Sequence, residues 1–335
     1  MDNILVWPIQ ENDQERPIWS VMIPTYNCAK YLAKTLQNVL SQDRGEENME
    51  IWVVDDHSTE DDPKQVVDEI GKGRVKFFRQ KSNVGQLNNF ETCLNLSRGK
   101  VIHLLHGDDF VHPGFYERLE KPLLGDEEIG AAFTGYRFID ANGDLVYNGD
   151  IISDTPGVLD HFTYSIASKQ VIQTPSIVVK RAVYEKLGGF NKRLKGCEDW
   201  EMWVRISCHF KFYYEPKLLA SYRIHNNSNT GGSLNSGRFI DDAVACMQIY
   251  RAYLPGNNKE KKKIIEEAKV YSLDYAFTIS NNFMEKHGDT EAALTVLFKC
   301  FKLAYNLRSH LGILKRILKI KYQQVVGNIE QVRSV

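Results

Sequence analysis

Over the first 110 residues, short apolar runs alternate with helix-patterned segments, and few folds accommodate that order. Ser20–Thr25 (SVMIPT) reads as a strand. A helix follows, with Leu32, Leu36, Val39 and Leu40 at i, i+4, i+7 and i+8 and with Asn27 placed to cap it. Glu50–Asp55 (EIWVVD) is a second apolar run, and Asp62-Pro63 opens a helix that ends near Gly71 and Gly73. Arg74–Phe78 is a third strand, and Gly85–Ser97 is a helix closed by Arg98-Gly99. Val101–Leu105 (VIHLL) is a fourth strand, running into Gly107-Asp108-Asp109. Such alternation predicts an α/β fold: a mostly parallel central sheet with helices on both faces.

That layout already points to chemistry. In open parallel sheets, ligands collect beyond the carboxyl ends of the strands. Asp55 and Asp56 fall there after the second strand, and Asp108 and Asp109 after the fourth. The Gly-rich dinucleotide fingerprint and the P-loop pattern are both missing. The first strand runs instead into Pro24-Thr25-Tyr26-Asn27.

Beyond residue 113 the pattern is mixed. Pro113–Leu124 reads as a helix. Ala131–Asp140 and Leu145–Asn148 flank Asn142-Gly143, a hairpin signal. Val171–Val179 reads as a strand and Ala182–Leu187 as a helix ended by Gly188-Gly189. Glu198–Cys208 reads as a helix with Trp200, Trp203, Val204 and Ser207 on one side. Phe212–Tyr214 and Leu218–Ile224 read as strands, and Asn226–Arg238, rich in Asn, Ser and Gly, as a mobile loop. From 239 onward the pattern is helical. The domain reading is therefore an α/β domain over 1–238 and a helical region over 239–335.

Two charged stretches lie in the helical region. Lys259–Lys263 with Glu266-Glu267 reads as a solvated helix face. Near the end, Leu311, Leu314 and Leu318 together with Ile313, Ile317 and Ile320 are read as lining one apolar face, with Lys315, Arg316, Lys319 and Lys321 pointing away. A basic amphipathic C-terminal helix of this kind either lies on an anionic membrane surface or packs on the rest of the chain with its lysines outward.

Composition removes several partner classes. Lys and Arg total 42 against 43 Asp and Glu, so net charge gives no footprint for nucleic acid, which is not an expected partner. Six scattered cysteines include no C-x-x-C pair, which favours reduced thiols in the cytosol over a zinc knuckle or redox motif. The acidic start (MDNILVWPIQENDQE) lacks the blocks of a signal peptide, and no window approaches the ~20 apolar residues of a membrane span. The N-x-S triplets at Asn95 and Asn226 then read as chance. The expected location is cytoplasmic, with peripheral attachment at the inner face of the cell membrane if the last helix docks there.

Four groups of residues could carry chemistry, each with a plain structural alternative. Asp108-Asp109 at a strand end suits Mg²⁺ or Mn²⁺, which share oxygen ligands with substrate phosphates; otherwise the pair caps the next helix. A carboxylate of Asp55-Asp56-His57-Ser58 could accept the imide N–H of a uracil or thymine ring, or cap the helix at Asp62-Pro63. Glu198-Asp199 opens a helix, where acids also serve simply to offset the dipole. His225 could meet a metal or a phosphate, or be structural.

Taken in order, these stretches resemble the family 2 glycosyltransferases. The resemblance runs over roughly residues 19–225 and rests on Val21–Asn27 (VMIPTYN), Val53–Ser58 (VVDDHS), Asn83-Val84-Gly85 and Gly99–Phe110 (GKVIHLLHGDDF) with Pro113. Gly188–Phe190 (GGF), Glu198–Arg205 (EDWEMWVR) and Tyr222–His225 (YRIH) complete it. It implies a GT-A nucleotide-sugar fold and an enzyme that takes its sugar from a nucleoside-diphosphate sugar, with a UDP-sugar favoured. By resemblance, Pro24, Thr25, Tyr26 and Asn27 line the nucleotide site. Asp55, with Asp56 beside it, reads the base, and Asn83 and Gly85 pass near the nucleotide. Asp108 and Asp109 stand at the metal motif for Mn²⁺ or Mg²⁺, with Asp108 also on the nucleotide side. His225 approaches the metal or diphosphate. Asp199 stands at the catalytic base, with Glu198 beside it.

Two departures qualify the likeness. His106 stands where the metal motif usually begins with an acid. The Q-x-x-R-W signature of processive synthases is absent after Asp199, as are the membrane helices that accompany it, which favours transfer of one sugar at a time. The implied reaction is metal-assisted inverting transfer to a hydroxyl of a glycan or lipid-linked glycan, a step of polysaccharide biosynthesis. Two other classes remain. A sugar nucleotidyltransferase would need a Gly-rich phosphate loop that PTYNCAK lacks. A non-catalytic, nucleotide-binding or scaffolding relative is kept open by His106.

Overall fold

The computed structural model describes residues 3–9, 16–225 and 229–333. The elements in chain order are β1 (Trp19–Thr25), α1 (Ala29–Leu40), β2 (Met49–Asp55), α2 (Pro63–Gly71), β3 (Lys76–Arg79), α3 (Gln86–Leu96) and β4 (Val101–Leu104). Then come β5 (Phe110–Val111), α4 (Phe115–Gly125), β6 (Ile129–Ile139), β7 (Leu145–Asn148), β8 (Gly157–Val158), α5 (Phe162–Ser168), β9 (Ile177–Lys180) and α6 (Arg181–Leu187). The last are α7 (Glu198–Ser207), β10 (Lys211–Arg223), α8 (Asn229–Asn235), α9 (Arg238–Arg251), α10 (Asn258–His287), α11 (Thr290–Lys299) and α12 (Leu307–Arg333).

The chain forms two compact units. One comprises Met1–Ile166, Gln170–Arg193 and Met202–His225; the other comprises Ala167–Lys169, Leu194–Glu201 and Asn226–Val335.

The first unit holds a ten-stranded sheet in the order β3-β2-β1-β4-β9-β6-β10-β5, with β7 on β6 and β8 on β10. β3, β2, β1 and β4 are mutually parallel, and so are β6 and β10; β9 runs against both of its neighbours, β4 and β6. Every residue of β1 is buried, as a strand covered on both faces requires. Leu32, Leu36 and Val39 of α1 pack into the core with Val21, Ile23, Ile51 and Val53. Because β1 has β2 on one side and β4 on the other, strand order reverses at β1, and the loops leaving the three strands converge at one crevice.

Several local expectations change. Asn27 does not cap α1; Cys28 holds that position, without a side-chain bond to the helix's N–H groups. The run Val171–Val179 divides into a short 3₁₀ turn at Thr174–Ser176 and β9. The two strands expected over 212–224 are one, β10, whose register shifts between Glu215 and Leu218 and again before Ala220 explain the break in its pattern. In the expected mobile loop, residues 229–235 are helical as α8, and 226–228 lie outside the described residues. The hairpin at Asn142-Gly143 forms as read, as β6 and β7.

The second unit's described residues outside α7 are mainly helical. The charge run of α10 is exposed, with i, i+4 pairs Lys262–Glu266 and Lys263–Glu267, and Asn257 caps the helix in a reciprocal box with Glu260. The last helix differs from expectation: Ile313, Ile317 and Ile320 are buried, while Leu311, Leu314 and Leu318 are exposed. They lie on two sides of α12, not one. No helix among the described residues is long and apolar enough to cross a membrane.

Candidate functional site

The crevice beyond β1 and β2 is tied together by side chains of its own loops. Asn27, in a left-handed conformation (φ 49°), accepts from the backbone N–H of Thr59 and Glu60, at 2.9 and 3.2 Å. Its own N–H reaches Ser58 Oγ at 2.9 Å, and Asp61 accepts from the N–H of Ala29 at the start of α1. The loop after β1 is thereby fastened to the loop after β2. Pro24 and Thr25 are buried beneath it, and Tyr26 is 46% exposed above.

The two acids after β2 have different surroundings. Asp55 is wholly buried and its carboxylate is engaged by Ser58 Oγ (2.6 Å), the Ser58 N–H and Arg79 Nε (2.5 Å). Asp56 accepts from the N–H of Val84 (2.7 Å) and of Gly85 (2.9 Å), which brings the segment holding Asn83 to the β2 loop. Burial raises the Asp56 pKa, and those two N–H bonds oppose the rise. Asn83 Oδ1 accepts from the Gly85 N–H, and Gly85 sits at φ +85°, where a side chain would be strained.

The acids after β4 are held from β10, three strands away in the sheet. Asp109 is 1% exposed; one oxygen accepts from the backbone N–H of Arg223 on β10 at 2.8 Å. Arg223 Nε donates to the carbonyl of Asp108 (2.9 Å), and its guanidinium lies over the Tyr31 ring at 4.4 Å. His225 Nε2 meets Asp108 Oδ2 at 2.9 Å. Gly107 passes so close to Thr25 and Cys28 that an added Cβ would stand 2.9 Å from Thr25 Oγ1 and from Cys28 Sγ. Gly107→Ala should therefore lower stability by about 1–3 kcal/mol, the usual penalty of overpacking. A chemical denaturation midpoint equal to the parent's would show that the loop has room to yield.

The residues present suit a divalent cation. His106, Asp108 and Asp109 each offer a ligand atom, and these atoms all lie within 4.8 Å of one another. Asp109 Oδ2 and His106 Nε2 are buried and have no hydrogen-bond partner among the described residues. Burial, reinforced by Asp108, lifts the Asp109 pKa well above the ordinary range. Burial works the same way on Asp108, but the hydrogen bond from His225 opposes it, and its pKa stands low. Burial lowers the pKa of His106, keeping it in the neutral form that can ligate. Two carboxylates and an imidazole form a donor set that accepts Mn²⁺ or Mg²⁺. Sequence reading placed Asp108, Asp109 and His225 at the metal; the structure adds His106 to the cluster and puts His225 on Asp108. It also reveals Arg223, whose one sequence signal was its place in the YRIH block.

The first turn of α7 belongs, with Asp242 and Arg238 of α9, to the second unit. Asp199 is half-buried, and its Oδ1 accepts from the Trp200 N–H. Glu198 is buried, and desolvation, with Asp199 and Asp242 nearby and Arg238 opposing, pushes its pKa up to about 8. Glu201 accepts from Tyr253 Oη at 2.6 Å. A native pKa above the unfolded value means that the folded chain binds the extra proton, so stability falls as pH rises from 4.5 towards about 8. Glu198→Gln should flatten that decline. Thermal midpoints across this range test it, and an unchanged slope would remove Glu198 as the titrating group.

Comparison with known proteins bears on the family and the fold. Residues 20–201 match the family model for glycosyl transferase family 2. A chondroitin synthase of Escherichia coli is 26% identical over 222 residues, 64% of this chain and 30% of its own length. The chain thus spans under a third of that relative. A crystal structure of S. aureus TarS 1-349 in complex with UDP-GlcNAc aligns with a TM-score of 0.64 at 15% identity, covering 92% of each chain. A mannosyltransferase from Pyrobaculum calidifontis, in complex with GDP-Man and Mn²⁺, aligns with a TM-score of 0.57 at 16% identity, over 95% of this chain and 84% of that one. At such identities the two structures establish the fold.

Proposed function

The chain belongs to glycosyl transferase family 2 and has the GT-A fold, and from that premise we propose that it moves one sugar at a time from a nucleoside-diphosphate sugar to an acceptor hydroxyl. A UDP-sugar is the favoured donor, and a glycan or lipid-linked glycan the acceptor. The observation that carries the reading is the buried Asp109 carboxylate. One of its oxygens is fixed by the Arg223 N–H; the other has no hydrogen-bond partner among the described residues and stands beside His106 and Asp108 after β4.

In this reading Pro24, Thr25, Tyr26 and Asn27 form the nucleotide side of the crevice. Asp55, the acid assigned to the base, is held by Ser58 and Arg79, and Asp56 holds the Asn83–Gly85 segment in place. His106, Asp108 and Asp109 would hold Mn²⁺ or Mg²⁺, which supplies Lewis-acid stabilisation of charge on the departing diphosphate. His225 and Arg223 keep those acids in position. Asp199 takes the proton of the attacking hydroxyl, and attack from the face opposite the diphosphate inverts the anomeric centre. Glu198, protonated at neutral pH, leaves that task to its neighbour.

Thermal shift with UDP, GDP, dTDP and CMP, each with and without Mn²⁺, tests the donor site. A ligand at 100 times its Kd adds about 2.7 kcal/mol to native stability, enough for a rise of several degrees. One nucleotide should raise the midpoint only when Mn²⁺ is present. No shift with any of the four would overturn the reading and favour a non-catalytic relative.

A further inference from the structure

Helix α12 is apolar on two sides. Ile313, Ile317 and Ile320 form its inner side, at most 7% exposed. Leu307, Leu311, Leu314, Leu318 and Tyr322 recur at i, i+4, i+7, i+11 and i+15, and so form a second stripe along the opposite side. They are 44–75% exposed. Basic residues border that stripe: Arg308, Lys315 and Lys319 on one margin and Lys321 on the other, all exposed. No acidic residue occurs between 292 and 329 to offset them. The nearby Lys299 and Lys302 are already paired with Asp241. An apolar strip of this length in open water, edged by uncompensated positive charge, marks a docking surface.

We propose that this outer stripe seats the protein on an anionic membrane surface. The leucines and Tyr322 enter the headgroup boundary, and the basic margins meet lipid phosphates. Charge selects this occupant. A second copy of the chain on the same stripe would bring Arg308, Lys315 and Lys319 of both copies together, with no acid between 292 and 329 on either to offset them. A neutral apolar partner would leave the margins unmatched. The inference is independent of the sugar-transfer reading, since it uses none of the crevice residues.

The test is sedimentation of the full chain with vesicles of phosphatidylcholine alone and of phosphatidylcholine mixed with phosphatidylglycerol. The parent should partition onto the mixed vesicles, and rising salt should release it. Lys315→Gln with Lys319→Gln should weaken that partition by about five-fold per charge. Leu311→Glu with Leu318→Glu should abolish it. Both pairs are exposed, and unchanged far-UV circular dichroism confirms that each variant folds. Equal binding to the two vesicle types would overturn the proposal, as would retained binding by the leucine variant. A parent dimer that the leucine variant dissociates, with vesicles left unbound, would overturn it too and make the stripe a contact between copies.

Discussion

Asp199→Asn is expected to lower the transfer rate by ~10²- to 10⁴-fold, the range that a positioned general base contributes, while nucleotide binding stays at the parent level. The change is close to isosteric, and an Asn Oδ1 can still accept from the Trp200 N–H as Asp199 does. Helix geometry should therefore survive, while proton acceptance and the negative charge are lost. Glu198 is the weaker base, because burial, the largest cause of its raised pKa, persists in the variant. Initial rates with donor and acceptor saturating, together with Mn²⁺-dependent nucleotide titration, separate the two effects. Transfer near the parent rate would remove Asp199 from the role.

The second large effect is expected at Asp109. Asp109→Asn keeps an oxygen for the Arg223 N–H but discards the charge beside His106 and Asp108. Mn²⁺-dependent nucleotide affinity should fall by more than the ~10- to 100-fold typical of outer-shell changes at metal sites, with little loss of fold stability. Asp109→Ala removes both functions. It strands the buried N–H of Arg223, and should cost about 1–3 kcal/mol in addition. Calorimetric titration of nucleotide with and without Mn²⁺, paired with denaturation midpoints, checks both variants. An affinity that is equal with and without Mn²⁺ in the parent, and unchanged in the Asn variant, would dismiss the metal site.

How much of this was legible beforehand depends on the range of the interaction. The β1–α1–β2–α2–β3–α3–β4 order was readable because apolar periodicity is local, and so was the placement of Asp55, Asp56, Asp108 and Asp109 at strand ends. The partners of those acids were not. Asp55 meets Arg79 across 24 positions and Asp109 meets Arg223 across 114, and nothing in either neighbourhood announces the pairing. Asn27 looked like a cap because Asn before a helix usually is one. Here a left-handed backbone turns it toward Thr59 and Glu60 instead. The six apolar residues of α12 looked like one face because leucines and isoleucines interleave in sequence, although Leu314 and Ile313 point to different surroundings. A register shift hid the continuity of β10, because a strand that slips loses its period-two signature.

The grip of β10 on the acids after β4 has a bearing on how the protein is made. Residues 20–201 carry the family match, yet Arg223 and His225, the groups that fix Asp109 and Asp108, come more than twenty positions later. β10 also lies inside the sheet, between β6 and β5. A nascent chain emerging from the ribosome would have the loops after β1 and β2 long before the acids after β4 were locked. Any fragment cut at residue 201 would present a sheet missing an interior strand. On the proposed reading, the shortest length that holds Asp108 and Asp109 as they stand here ends no earlier than His225.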